Sequence, residues 1–353
     1  PLPDLPSLPR FEAQLLLAHI LGRTRAWVLA HPEADLSAGQ QAHLEQALSQ
    51  WQMGVPLPYI LGHWEFYGLD FAITPEVLIP RPETEMLVET ALAWLKVHPE
   101  VDTAVEVGTG SGCIAVALAV HAPSLHLTAT DCSAEALRVA QQNARTHRVS
   151  GRITFRQADL LEGAPASIHL LLANLPYIPS ETLHTLPVYG REPTLALDGG
   201  AQGLDLISHL LEQAGTRLRE GGLALLEIEA MQGQAALALG REAFPQARVA
   251  LFGDLVLDRF ILGTPKRISR EAPVIILRFE GQRDIPGGGA NALANLAALG
   301  VHALPVGAVG DDETGQALIA ALERLGVDTA GIVRVPGYRT PVKVRILGGG
   351  ASH

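Results

Sequence analysis

Cysteine is almost missing from this chain: 353 residues contain only Cys113 and Cys132. That number excludes a disulfide scaffold and fits a reducing cytoplasm, where both read as small buried packing residues rather than nucleophiles or ligands. Long apolar runs are missing too, since none reaches the ~20 residues needed to span a bilayer, so no membrane association is expected. The thirteen histidines show neither H-E-x-x-H nor any pairing with C-x-x-C, and no metal site is expected. No charged leader precedes an apolar segment, so no secretory signal is expected, and the start at Pro1 rather than Met reads as a fragment.

Positive charge is scarce where most of the chain lies. The formal net charge is −11. After Gly263, ten Lys and Arg face eight Asp and Glu, which leaves −13 for residues 1 to 263. So acidic a body is a poor grip for a phosphate backbone, and no stable nucleic-acid binding is expected. What the chain does have is apolar content of 48% with 35 Gly and 24 Pro, enough for two or three globular domains.

Residues 10 to 52 read as helices. In "FEAQLLLAHILG", Phe11, Leu15, Ala18 and Leu21 recur at helical spacing before Gly22. Ser37 and Gln40 make a capping box for a second helix with Leu44, Leu48 and Trp51 on one face. "HWEFYGLDFAIT" then alternates Trp64 and Phe66 with Leu69, Phe71 and Ile73 around Tyr67-Gly68, a hairpin signal. "LIPRPETE" follows, in which Pro82 suits a first helical position and Glu83 and Glu85 suit the positive end of a helix.

From 103 to 229 strand and helix patterns alternate. Strands are expected at 103–107, 125–130, 152–156, 168–173 and 223–229, with helices near 112–121, 133–147 and 203–219. This is the signature of a mostly parallel α/β sheet with helices on both faces, in a Rossmann-like arrangement. No internal repeat is evident. The tail after Gly263 turns Gly-rich and changes charge, which marks a boundary.

Chemistry gathers at the strand ends. "VEVGTGSGC" (105–113) is a strand running through Gly108, Gly110 and Gly112 into a helix. Such a loop lets backbone approach a ligand, and the helix start favours negative charge. A dinucleotide fingerprint wants a sixth-position glycine where this chain has Cys113. G-x-G-x-G after the acidic Glu106 fits S-adenosylmethionine better, because that ligand has a cationic amino-acid end and no pyrophosphate. An ordinary tight turn is the alternative. Asp131, ending the second strand, is placed to accept both ribose hydroxyls, or else to cap the next helix in competition with Ser133. Asp159, ending the third, suits an adenine amino group or is a solvated strand-end acid.

"LLANLPYIPS" (171–180) ends the fourth strand on Asn174-Leu175-Pro176-Tyr177. An amide nitrogen is a poor nucleophile because its lone pair is delocalised. A site that alkylates one must hold it in line with the methyl donor and accept hydrogen bonds from its N–H groups. The Asn174 Oδ1 and a carbonyl exposed before a proline are such acceptors, and an aromatic ring packs on the planar amide. No strong general base is apparent, so the proton is expected to leave to solvent after transfer. A strand that merely stops on Asn and Pro is the alternative.

Four blocks together resemble one family. "PLPYILGHWEFYGLDFAITPEVLIPRPETE", "VEVGTGSGC", "ANLPYIP" and "YGREPTLALDGGAQGLD" are similar to the protein-(glutamine-N5) methyltransferases of peptide chain release factors, the HemK family, over roughly residues 10 to 262. The resemblance implies a seven-stranded, mostly parallel methyltransferase sheet behind a small helical domain. It implies that Glu106, Gly108, Thr109, Gly110, Gly112 and Asp131 bind S-adenosylmethionine, with Asp159 near the adenine and Asn174 bordering the cofactor. By the same resemblance Asn174, Pro176 and Tyr177 are catalytic, and Leu175, Arg81 and Pro82 join them in holding the substrate glutamine of a Gly-Gly-Gln loop. The family tetrapeptide is usually N-P-P-Y; Leu175 stands at its second position, which contributes mainly a backbone carbonyl. The helical module would dock the release factor, in the cytoplasm and with the enzyme a monomer. Amino-methyltransferases of adenine or guanine share the tetrapeptide, but the −13 charge and the lack of an inserted basic domain argue against them.

The tail resembles something else. "LFGDLVLDRFILGTPKRISREAPV", "PGGGANALANLAALG" and "VGAVGDDETGQAL" are similar to ribokinase-type sugar kinases, and "RISREAPV" to the heptose-phosphate kinases. That resemblance implies sugar contacts from Asp258 and the Gly287-Gly288-Gly289-Ala290-Asn291 turn. A bifunctional or mainly sugar-kinase protein is thus an alternative, as is an inactive cofactor-binding adaptor. No G-A-G-D-type segment is present before His353, so kinase activity is not expected. The domains expected are 1–75 (helical docking module and hairpin), 76–262 (methyltransferase) and 263–353 (partial kinase-like segment). "RVALFGDLVLDRFILG" resembles both the last methyltransferase strands and the first kinase strand. It is expected to complete the methyltransferase sheet.

Overall fold

The structure is a computed structural model, and it describes residues 2–3, 5, 8–250, 253–268, 275–298, 300 and 305–348. Leu251, Phe252 and the Ser269–Val274 part of "RISREAPV" lie outside the described residues. The chain divides into two compact units, Pro1–Glu227 and Ile228–His353.

The first unit begins with four helices: α1 (Arg10–Leu21), α2 (Arg25–Ala30), α3 (Ala38–Gln52) and α4 (Leu57–Leu61). The capping box at the start of α3 is present, with Gln40 N–H donating to Ser37 Oγ and Ser37 N–H to Gln40 Oε1. The buried face of α1 is not the expected one. Leu16, Leu17 and Ala18 pack with Val28, Leu44, Ala47, Leu57 and Leu61, while Phe11 is 51% exposed. The cause is the run Leu15-Leu16-Leu17-Ala18, apolar all round, so periodicity alone does not choose a side. Phe11 instead carries the Arg25 guanidinium over its ring at 4.6 Å.

Strands β1 (His63–Phe66) and β2 (Leu69–Ala72) form the hairpin with Trp64 opposite Phe71. Tyr67 and Gly68 both have positive φ, as a tight two-residue turn requires. Phe66 and Phe71 are fully buried, ring edge to face at 6.2 Å. Pro82 opens a 3-10 turn, Pro82–Thr84, that leads into α5 (Glu85–Val97).

Next come β3 (Thr103–Val107), α6 (Cys113–His121), β4 (His126–Asp131), α7 (Ala134–Thr146), β5 (Ile153–Gln157), β6 (Ile168–Ala173), α8 (Ser180–Leu183), α9 (Asp205–Ala214) and β7 (Leu218–Leu226). The five strands form one parallel sheet in the order β5-β4-β3-β6-β7. The order reverses between β3 and β6, and open α/β sheets take their ligands at that point, beyond the carboxyl ends of the strands. Helix α6 is buried on every side from Cys113 to Ala119, as expected for a helix sealed between sheet and outer elements. Cys113 is buried, but Cys132 is exposed, contrary to expectation, because it follows the strand's last residue.

Asn143 on α7 is 1% exposed and ties three parts of this unit together. Its Oδ1 accepts from Ala72 N–H at 2.8 Å, and its Nδ2 donates to the carbonyls of Ala72 at 3.0 Å and Ser111 at 2.8 Å. The hairpin is thereby fastened to the glycine loop after β3.

In the second unit, α10 (Gly233–Ala243) precedes β8 (Leu255–Ile268), β9 (Ile275–Gly288), α11 (Gly289–Ala298), β10 (Gly307–Gly310), α12 (Glu313–Arg324), β11 (Ile332–Val335) and β12 (Val342–Gly348). β8 pairs antiparallel with β9 and parallel with β12. The expectation that 249–263 completes the methyltransferase sheet is therefore corrected: among the described residues that sheet has five strands, and β8 joins the strands that follow it. Its apolar alternation suits either sheet, and the fourteen-residue partner β9 supplies the longer ladder. Leu257, Ala290, Val309, Leu318 and Leu322 are the centre of this unit's core.

Removing the Asn143 amide strands three backbone groups in the interior. Asn143→Ala should destabilise the first unit by about 2 kcal/mol or more, read as a lower urea midpoint of its tryptophan fluorescence transition.

Candidate active site

The row Val107, Thr130, Ala173 and Leu226 runs straight across the sheet. The residues that follow each, Gly108, Asp131, Asn174 and Glu227, accordingly line one edge. Strand register alone brings together four of the groups that matter.

The glycine loop is built by backbone bonds. Gly108 and Thr109 N–H both donate to the Thr130 carbonyl, and Gly112 N–H donates to that of Thr109. Gly108, Gly110 and Gly112 all have positive φ. A Cβ at Gly112 would lie 2.9 Å from the Ala140 Cβ, whereas one at Gly110 would meet nothing within 4 Å. The loop is thus pressed against α7 at one end and open at its middle, the shape of a cradle.

Glu106 is 1% exposed and lies behind this loop. Its Oε2 accepts from Thr109 Oγ1 at 2.7 Å and Ala115 N–H at 3.1 Å. Burial pushes its carboxyl up to about 8. Asp131 does related work at the front: Oδ2 accepts from Gly110 N–H at 2.8 Å and Oδ1 from Ser133 N–H at 2.9 Å. Ser133 caps α7 through Ala136 N–H, so the cap and the strand-end carboxylate are separate groups. Each Asp131 oxygen keeps a lone pair for a ligand hydroxyl. Asp159 is exposed beyond β5, and the next residue, Leu160, holds a positive φ with its carbonyl accepting from Thr130 Oγ1 at 2.8 Å.

The tetrapeptide meets this cradle directly. Leu175 is 5% exposed, and its Cδ2 would lie 2.9 Å from a Cβ at position 108. Its side chain therefore packs on the glycine loop, a role beyond the backbone carbonyl expected of it. Asn174 Nδ2 donates to Thr84 Oγ1 at 2.9 Å, Thr84 Oγ1 donates to Glu227 Oε2 at 2.7 Å, and Tyr177 OH donates to Glu227 Oε1 at 3.2 Å. Burial raises the Glu227 carboxyl against the opposing pull of these bonds, and burial beside Glu227 raises the Tyr177 phenol, which stays a donor.

Residues 192 to 200 back the tetrapeptide. Ile178 bridges Asp198, with Gly199 N–H donating to the Ile178 carbonyl at 2.8 Å. A Cβ at Gly199 would sit 2.7 Å from both the Pro176 carbonyl oxygen and the Tyr177 Cα, so only glycine fits. Arg81 pairs with the buried Glu192, whose Oε2 accepts from Ile79 N–H at 3.0 Å. Arg81 thus fastens "IPRPETE" to "EPTLALDGG", and Pro82 starts the turn that delivers Thr84 to Asn174. Sequence reasoning missed Thr84, Glu192 and Glu227. Their places inside two distinctive blocks and at a strand end were the available signal.

A parallel sheet with an acidic-tethered glycine cradle and a strand-end amide at its reversal point defines an S-adenosylmethionine-dependent methyltransferase. The cradle fits that methyl donor: open backbone at Gly110, and a carboxylate at Asp131 with acceptor capacity to spare. Three family models match the chain: the PrmC N-terminal domain over residues 6–62, the methyltransferase small domain over 84–186, and the pfkB family carbohydrate kinase over 246–352. The release factor glutamine methyltransferase of Moorella thermoacetica is 45% identical over 238 residues, 66% of this chain and 83% of its own length. Those of Bordetella pertussis and Koribacter versatilis are each 42% identical, covering 67% and 64% of this chain and 88% and 80% of theirs. The chain belongs to the release factor glutamine methyltransferase family.

A carboxyl raised by folding makes stability fall as pH rises between its unfolded and folded values. For Glu106 that window runs from the model-peptide value of 4.5 to about 8. Glu106→Gln should therefore lose less thermal stability than the parent between pH 5 and 8. Parallel melting curves of the two without ligand check this.

Proposed function

We propose that this chain transfers a methyl group from S-adenosylmethionine to the side-chain amide nitrogen of a glutamine in a peptide chain release factor, in its Gly-Gly-Gln loop. The observation that carries this reading is the contact of the Asn174-Leu175-Pro176-Tyr177 turn with the glycine cradle at Gly108. A planar amide held by the turn lies beside whatever the cradle binds.

When bound, S-adenosylmethionine supplies an electrophilic methyl carbon on a sulfonium sulfur. The chain's own residues do the rest. Glu106 and Asp131 hold the loop that receives the cofactor, with Asp131 toward the ribose and Asp159 toward the adenine. The Asn174 Oδ1 and the Leu175 carbonyl accept the two N–H groups of the substrate amide, and the Tyr177 ring packs on its plane. Held in line, the nitrogen forms the new N–C bond as the C–S bond breaks, and its proton passes to solvent. Arg81 and Pro82 border the entry for the loop, and the helical module docks the release factor. The chain acts as a monomer in the cytoplasm. No described helix is long and apolar enough to cross a membrane. The −13 charge of residues 1 to 263 opposes a nucleic-acid substrate.

A second reading attaches to the segment that matches the carbohydrate kinase model. A Cβ at Gly287 would lie 3.0 Å from Asp258 Oδ2, so the turn and the carboxylate named for sugar contact are adjacent. Asp258 also pairs with Arg345 at 3.2 Å. Sugar-dependent ATP hydrolysis by this chain would support a kinase reading of this segment.

The methyltransferase reading predicts incorporation of labelled methyl into a release factor with an intact Gly-Gly-Gln loop, and none when its Gln is changed to Ala. Asn174→Ala should lower the rate about 100-fold while calorimetry shows S-adenosylmethionine affinity within about threefold. Full transfer by that variant would contradict the role given to Asn174.

A further inference from the structure

An asparagine amide presents an acceptor at one end and two donors at the other, and the two ends are nearly the same shape. Asn174 can hold a substrate N–H only if its oxygen faces the substrate. Something in the protein must choose between the two orientations, because a flip of the side chain would aim Nδ2 at the substrate nitrogen and repel its protons.

We propose that Thr84 and Glu227 are positioning residues that fix the Asn174 amide with Nδ2 turned inward and Oδ1 left for the substrate. This inference rests on the methyltransferase reading and deepens it. A threonine hydroxyl has one proton to give. Thr84 gives it to Glu227 Oε2 at 2.7 Å, so its oxygen meets Asn174 as an acceptor, and only Nδ2 can satisfy it at 2.9 Å. A carboxylate accepts and does not donate, so Glu227 sets the direction of the whole chain of bonds. Tyr177 OH donates to the other oxygen, Oε1, at 3.2 Å, which holds the carboxylate in place. Thr84 is 2% exposed, so water does not compete for its hydroxyl. Thr84, Asn174 and Glu227 come from the 3-10 turn before α5, the end of β6 and the end of β7, and Thr84 and Glu227 act on the substrate only through Asn174. This also gives the "IPRPETE" block a task inside the clamp: its threonine, not its arginine, reaches the amide.

The test compares the full chain with Thr84→Val, Thr84→Ser, Glu227→Gln and Asn174→Ala, using labelled methyl transfer to the release factor. Thr84→Val should lower kcat about 10- to 100-fold with the KM for S-adenosylmethionine within about threefold. Thr84→Ser, which restores the hydroxyl, should stay within about threefold of the parent. Placed in an Asn174→Ala background, Thr84→Val should cost nothing further, because its effect passes through that amide. A second readout needs no activity. In amide-labelled protein the Asn174 side-chain protons, assigned by their loss in Asn174→Ala, should exchange with solvent about tenfold or more faster in Thr84→Val and Glu227→Gln. A parent-like rate in Thr84→Val, additive losses in the double variant, or unchanged exchange would overturn the proposal. If the parent chain itself transfers no methyl group to the release factor, the functional reading fails while the exchange measurement still decides the positioning role.

Discussion

The close approach of Leu175 to Gly108 is the constraint on which the site depends. A Cβ at position 108 would sit 2.9 Å from Leu175 Cδ2, nearer than real side chains come. The strand-end turn and the glycine loop are therefore in van der Waals contact through the Leu175 side chain. Parallel pairing of β3 with β6 puts Val107 beside Ala173 and makes that contact possible. Glycine at 108 permits it, and a buried leucine at 175 fills it.

The acidic residues around this contact divide their work by depth. Glu106, behind the loop, is consumed by Thr109 and the start of α6, and burial raises its carboxyl. Asp131, in front, tethers Gly110 and Ser133 while keeping acceptor capacity. Glu227, one strand beyond Asn174, is turned toward the amide. The three carboxylates thus have three surroundings: one tied behind the loop, one at its front with acceptor capacity left, and one bonded to Thr84 and Tyr177. Gly199 closes the back of the turn, where any larger residue would strike the Pro176 carbonyl and the Tyr177 backbone.

The strand-end positions were legible in the sequence because alternation of strand and helix fixes which residue follows each strand. Asp131 and Asn174 needed only that. Glu227 was hidden because the strand expected at 223–229 ran past it, whereas β7 ends at Leu226; Thr84 and Glu192 were not legible because their partners lie 90 and 113 residues away and no local pattern encodes such pairings. The register of α1 was illegible for a different reason. A helix apolar on consecutive positions shows no stripe, and contacts with α2, α3 and α4 bury Leu16 and Leu17 in place of Phe11. Residues 255 to 268 posed a third problem, an apolar strand acceptable to either of two sheets, which β9 and β12 decide.

The proposed reaction requires the cradle and the clamp to hold a methyl donor and a planar amide side by side. A crystal structure with S-adenosylhomocysteine and a Gly-Gly-Gln peptide tests it most directly. The glutamine nitrogen should lie on the line of the transferred methyl group, with about 3 Å between the position of that carbon and the nitrogen, and Asn174 Oδ1 and the Leu175 carbonyl should accept its protons. A glutamine side chain bound away from Asn174, or a nucleoside seated away from Gly110 and Asp131, would contradict it.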